Sequence, residues 1–316
     1  MGNAPSLRLL DLDGSLPGQP MLAARLAEGS AVRLDLSGLG RALRLWSDGR
    51  SWSRLEQALA EAETATAGAA ARFPLTLVGS GDYHHVSAAL IARATGPLSV
   101  LHFDNHPDWC RCFPTRHCGG WVNMALAENH VHRVVTIGPC SDDLDRPDRK
   151  GANLAALSEG RHQVFAWRRP PTETRRGVAD GPGHRYRNGA ILWRNLDEED
   201  FAAALAEILD ALPTRRVWIT IDKDVLAPDE AFTNWDQGRM PLAHLLAALP
   251  QIAARCEIVG ADICGEYATL AHRHPMKFAE AVLDQPPRPT PQAVERGLQR
   301  NAATNRVLIG AFEALQ

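Results

Sequence analysis

The chain has no apolar stretch approaching the roughly 18 uninterrupted residues that a membrane-spanning helix needs. Its first ten residues lack the basic start and long apolar core of a secretory leader, so a cytoplasmic location is the expectation. Met-Gly-Asn-Ala-Pro-Ser fits the short pattern for N-myristoylation, but such loosely defined positions match often by chance, and lipidation is not expected. An excess of one charge sign is missing too. With 34 Lys and Arg against 37 Asp and Glu, the net charge of −3 excludes the basic character expected of a partner for nucleic acid or for an anionic membrane. The expected partner is a small molecule.

The six cysteines (Cys110, Cys112, Cys118, Cys140, Cys256 and Cys264) lack the spacing of a secreted disulfide framework, so reduced thiols are the default. Cys110, Cys112, His117 and Cys118 lie close enough to suggest a small zinc site, without the usual Cys-x₂-Cys spacing. Buried thiols, a redox pair or a substrate loop account for the same residues. Neither a clear linker nor an internal repeat interrupts the chain.

Strand patterns alternate with helical ones. Strands are expected at residues 7–12, 31–36, 75–78, 98–103, 133–137, 163–167, 190–193, 217–221 and 257–263. Helices are expected at 86–94, at 197–212 with Asp197 as N-cap, at 242–255 and at 292–314. This alternation predicts an α/β fold, a mainly parallel central sheet with helices on both faces. Ligands of such sheets bind beyond the carboxyl ends of the strands. Residues 141–151 and 168–188 read as loops. The second carries Arg175, Arg176, Arg185 and Arg187, either as a solvated excursion or as a grip for a substrate carboxylate.

Three strand exits carry the chemistry. After 98–103 come Asp104, His106 and Asp108, whose alternation turns three donors the same way if the chain stays extended. Carboxylate and imidazole together suit a hard or borderline divalent cation, although a polar turn would contain the same residue types. Residues 217–221 lead into Asp222-Lys223-Asp224. Two carboxylate pairs at one sheet edge require a counter-charge, either a cation or Lys223 and neighbouring arginines. After 75–78, the glycines of Gly79-Ser80-Gly81-Asp82-Tyr83-His84-His85 permit a sharp turn that would deliver His84 or His85. Trp109, Trp121 and Trp235 flank these stretches as pocket walls or as core.

Gly-Asp-Tyr-His-His-Val-Ser, Asp-Asn-His-Pro-Asp and Asp-Lys-Asp resemble, in order, the three metal-binding motifs of the ureohydrolases, the superfamily of arginase, agmatinase and formiminoglutamase. The resemblance runs from about residue 75 to about residue 270 and implies a three-layer αβα arginase-like fold, with residues 1–316 as a single metallohydrolase domain. It further implies two divalent ions bridged by hydroxide. Mn²⁺ is expected, and Ni²⁺ or Fe²⁺ also accept such ligands. Carried over by position, His84, Asp104, His106, Asp108, Asp222 and Asp224 are the ligands. Asp82 and Tyr83 then stand where the family has glycine and aspartate, and an inserted residue would bring in His85 instead of His84. A homo-oligomer is compatible with the resemblance.

The implied activity is hydrolysis of a linear C–N bond in a guanidino or amidino compound, with Asp224 as ligand and proton carrier, or as ligand only. Cys118 stands about where relatives have a histidine that binds substrate or shuttles protons, or else His117 has slipped by one. Glu266 corresponds, one residue late, to the family glutamate that binds the substrate's cationic group, or it is a surface carboxylate. Two alternatives have different outcomes. One is a metal-dependent N-acyl amine deacetylase of the same fold, and the other is a metal-retaining binding protein without turnover.

Overall fold

The structure is a computed structural model that describes residues 7–66, 73–269 and 272–316. Eight strands form one sheet: β1 (Leu7–Asp11), β2 (Ala31–Asp35), β3 (Leu75–Leu77), β4 (Leu98–Phe103), β5 (Val131–Ile137), β6 (His162–Phe165), β10 (Arg216–Asp222) and β11 (Glu257–Cys264). Their order is β2-β1-β3-β11-β10-β4-β5-β6, and every pairing is parallel. The cause is visible in the residues. All six residues of β4 are buried, as a strand covered on both faces must be.

Successive side chains divide between two cores. Leu101, Phe103, Ile219, Ile221 and Ile263 meet Phe201, Leu205, Leu249 and Phe312 of the helices on one face. Val100, Val134 and Trp218 meet Leu55, Leu59, Val86, Leu90 and Trp121 on the other. Near the carboxyl edge this second face turns polar, because His102, Thr136, Thr220 and Asp262 occupy the inward positions and are buried. The architecture is the expected three-layer αβα arrangement with a parallel centre.

Three expectations need correction. Residues 190–193 form a strand, but outside the main sheet. There β9 (Ala190–Trp193) pairs antiparallel with β7 (Thr172–Glu173) and β8 (His184–Arg187), two strands inside the stretch read as a loop. Arginine and glycine mask their short alternation. Arg185 and Arg187 engage Asp180 on the surface of this small sheet, so they are committed away from any substrate carboxylate. The helix expected from Asp197 begins later, at Phe201–Asp210. Asp200 caps it by accepting from Ala202 N (3.0 Å) and Ala203 N (3.3 Å), while Leu196–Glu198 forms a separate 3₁₀ turn.

Candidate metal centre

Strands β3, β11, β10 and β4 are consecutive neighbours in the sheet, and their exits meet at one edge. Beyond β3, Ser80 caps the one-turn Gly81–Tyr83 helix, with its hydroxyl accepting from Asp82 N at 3.2 Å. His84 follows directly. Glycine is required at 81, since a Cβ there would lie 2.5 Å from Asp222 Oδ2. Beyond β4, Asp104 Oδ1 accepts from His106 N at 2.6 Å, which folds the chain back on itself. Asp108 then adopts φ +46°, a left-handed conformation that non-glycine residues hold at functional sites when the surroundings enforce it. Beyond β10, Asp222 Oδ1 accepts from Asp224 N at 3.0 Å.

The donors converge. His84 Nδ1 lies 3.0 Å from Asp104 Oδ2, 3.2 Å from Asp108 Oδ2 and 3.7 Å from Asp222 Oδ2. His106 Nδ1 lies 3.0 Å from Asp224 Oδ2 and 3.4 Å from Asp104 Oδ1. Among the described residues, donor atoms within 4.8 Å of one another form three overlapping groups: His84, His102, Asp104 and Asp108; His84, Asp222 and Cys264; and Asp104, His106 and Asp224. All six residues carried over from the motifs are in these groups.

Hydrogen bonds behind the donors set their direction. Asp262 accepts from Ser87 Oγ (2.6 Å), Trp218 Nε1 (2.6 Å) and Thr220 Oγ1 (2.8 Å). The Thr220 hydroxyl proton is therefore committed to Asp262, so Thr220 Oγ1 must accept from His84 Nε2 at 3.0 Å. Nδ1 of His84 is left facing the carboxylates; burial opposes a charge on the ring, but Cys264 and hydrogen bonds to Asp104 and Asp108 raise its pKa well above the usual value, so a cation would take this nitrogen by displacing its proton. Asp236 plays the same part for His106, with Oδ1 at 2.8 Å from Nε2. Trp121 Nε1 donates to Asp108 Oδ2 at 2.6 Å, and its ring lies against His84 and His102.

The electrostatics call for a cation. Burial first, and then the charge of Asp104, push the carboxyl of Asp108 up to about 7 and raise those of Asp222 and Asp224 as well. Lys223 does not relieve them, because its Nζ is bonded to Glu266 and to Asn305 Oδ1 (2.9 Å). Among the described residues, the ion-pair partners of Asp104, Asp108, Asp222 and Asp224 are histidines. Four buried carboxylates without Lys or Arg, faced by histidine nitrogens, fit a divalent-metal centre.

Other expected residues are placed differently. His85 is buried with both ring nitrogens lacking a hydrogen-bond partner among the described residues, stacked on Trp52 away from the cluster. Asp82 binds Arg44 Nε at 2.5 Å and accepts from Trp235 Nε1 (3.0 Å) and Gln285 Nε2 (2.6 Å), while Tyr83 is core. Glu266 is neither a surface carboxylate nor a wall of the cavity. Its oxygens are taken by Lys223, Asn301 (3.1 Å) and Asn305 (2.6 Å), so the added glycine does not return it to the site.

Cys118 does line the cavity, but burial, followed by the charges of Asp108, Asp82 and Glu280, raises its thiol well above the usual value. The thiol form is favoured there in the metal-free chain. His117 is turned to Glu280 instead, at 2.5 Å. The zinc idea fails with it, and so does the expectation that all thiols are reduced. Cys110 and Cys112 are joined by a disulfide, and the four residues do not gather.

The cavity over the donors measures about 40 Å³ and is lined, besides the donors, by Gly81, Cys118, Gly119, Asp143 and Trp235. Three contributors escaped sequence reasoning. His102 alternates with Asp104 along β4, and Asp262 is a lone charge inside an apolar strand, so both left a signal. Asp236 lies in a loop with no pattern to mark it.

No family model matches the chain. An uncharacterized protein of Thermotoga maritima is 29% identical over 192 residues, which are 61% of this chain and 58% of that protein. The match therefore spans little more than half of the relative. Among solved structures, formimidoylglutamase of Bacillus subtilis is similar with a TM-score of 0.57 at 16% identity, over 95% of this chain and 88% of that one. A hypothetical agmatinase from Burkholderia thailandensis gives a TM-score of 0.54 at 15% identity over 100% and 88%. Arginase from Bacillus caldovelox gives 0.52 at 17% over 89% and 96%. The chain shares the fold of these formimidoylglutamase, agmatinase and arginase structures.

Proposed function

We propose that this chain is a dinuclear-metal hydrolase that cleaves a linear C–N bond of a small guanidino or amidino compound. The observation that carries the reading is the orientation of His84. Its Nε2 is held on Thr220 and its Nδ1 faces the oxygens of Asp104, Asp108 and Asp222. His84 and Asp104 each belong to two of the three overlapping donor groups, which supports a centre that would hold two ions. Mn²⁺ suits the oxygen-rich group of Asp104, His106 and Asp224. Divalent ions held there would supply an activated water at neutral pH and polarise the substrate.

The protein's own residues do the rest. Trp235 and Gly119 line the cavity above the donors and would flank a small planar head group. Asp224 Oδ1 accepts from Asn105 N at 3.1 Å and its Oδ2 faces His106, so Asp224 is fixed to accept a proton and hand it to the departing amine. Cys118 serves as a neutral wall.

One observation favours a second reading. With Glu266 buried against Lys223, no glutamate meets a substrate cation in the cavity, which suits an uncharged N-acyl amine as substrate. Release of urea or ammonia from a panel of guanidino and amidino compounds, with acetate release from N-acetyl amines run alongside, separates the two. Urea or ammonia from at least one compound is expected. Acetate alone transfers the assignment to the deacetylase, and no turnover by fully metal-loaded protein leaves the binding protein.

A further inference from the structure

The geometry points to Cys264 as a sulfur ligand in this centre, making one of its two ion positions a mixed nitrogen, oxygen and sulfur site and leaving the other nitrogen and oxygen only. The inference rests on the metal-centre reading above and concerns which ion each position takes. Cys264 is the last residue of β11, and the parallel register sets it directly beside Asp222, the last residue of β10. Its Sγ lies 3.1 Å from Asp222 Oδ2 and falls with that oxygen and a His84 nitrogen in a group whose donors are all within 4.8 Å of each other.

The backbone enforces this approach. Gly265 has φ +87°, and a Cβ there would lie 2.4 Å from Asp222 Oδ1 and 2.6 Å from Lys223 N. The β11 exit is thus pressed against the β10 exit, and the Cys264 side chain, packed at the margin of the core, carries its sulfur to Asp222 Oδ2. It is buried, as are His84 and Asp222. The other group, Asp104, His106 and Asp224, contains no sulfur.

When an ion enters, the Sγ–H bond breaks, its proton leaves to solvent, and the sulfur pair is donated to the metal; a coordinating thiol is deprotonated in this way by the charge of the ion itself. A thiolate beside one imidazole and one carboxylate strengthens the preference for Zn²⁺, Fe²⁺ or Co²⁺ over Mn²⁺, whereas the oxygen-rich, sulfur-free position keeps a weaker one. The two positions therefore differ in metal preference.

Cobalt reads the bond directly. Metal-free full-length protein titrated with Co²⁺ should develop a near-ultraviolet sulfur-to-cobalt charge-transfer band as one of two equivalents binds. Cys264→Ser should lose that band, and Cys118→Ser, which changes the other cavity thiol, should keep it. Cys264→Ser should also retain Zn²⁺ less well relative to Mn²⁺, on the order of tenfold, as for the loss of one supporting ligand contact.

The unmutated protein decides the matter even if Cys264→Ser fails to fold. Two bound Co²⁺ without the band, or a band lost in Cys118→Ser alone, overturns the sulfur ligand while the dinuclear reading stands. Failure to bind Co²⁺ at all overturns both.

Discussion

A histidine that must present a bare nitrogen needs its other nitrogen occupied, and that requirement separates the two adjacent histidines of this chain. His84 meets it through Thr220. His85, with neither nitrogen engaged among the described residues, packs as a ring. The carboxylates impose a second condition. Asp108 sits near 7 without a cation because burial and then Asp104 disfavour its charge, so an arriving ion must displace a proton at lower pH. The sign follows: a carboxyl with a raised pKa is ligand-ready above that value and blocked below it. Apparent affinity for Mn²⁺, followed by calorimetry across pH, should fall by at least about tenfold per pH unit below about 7. An affinity independent of pH from 5 to 8 would show that Asp108 is already ionised before the ion arrives, against its raised pKa.

At the scale of elements, parallel pairing does the assembling. Register sets Thr220 beside Asp262 and Asp222 beside Cys264, so a ligand, the group that orients it and a candidate sulfur donor come from two adjacent strands. Thr220→Val keeps the shape of β10 and removes the acceptor for His84. Metal affinity should drop about 10- to 100-fold, the scale for losing an orienting partner, while thermal unfolding of the metal-free protein changes little. An unaltered affinity would mean that the ring is held by packing alone.

The same scale explains what the sequence disclosed. Apolar runs ending in Asp104-x-His106-x-Asp108 and Asp222-x-Asp224 are local patterns, and each marks both a buried strand and its exit. Glu266 was misplaced because one added residue at Gly265 reverses a side chain's direction, a fact visible only once Lys223, Asn301 and Asn305 surround it. Strands β7 and β8 are short and rich in arginine, and their pairing with β9 is what reveals them. Asp236 reaches His106 through a loop, so its role depends on the fold alone.

For the whole molecule, the parallel sheet has a consequence that no single motif carries. Every one of its eight strands ends at the same edge, and the four exits at β3, β11, β10 and β4 crowd carboxylates where water is excluded. Elsewhere the fold neutralises buried charge with protein partners, Arg44 for Asp82 and Lys223 for Glu266. Here the ion-pair partners are histidines, so cations entering the cluster take the place of protons, and their number distinguishes a two-ion centre from a simpler one.

Calorimetric titration of the metal-free chain with Mn²⁺ therefore tests the account most directly. Two equivalents per chain are predicted for the unmutated protein, with Asp104→Ala, which removes a residue shared between donor groups, weakening both. One equivalent, none, or two that persist unchanged in Asp104→Ala would contradict a dinuclear centre built on Asp104.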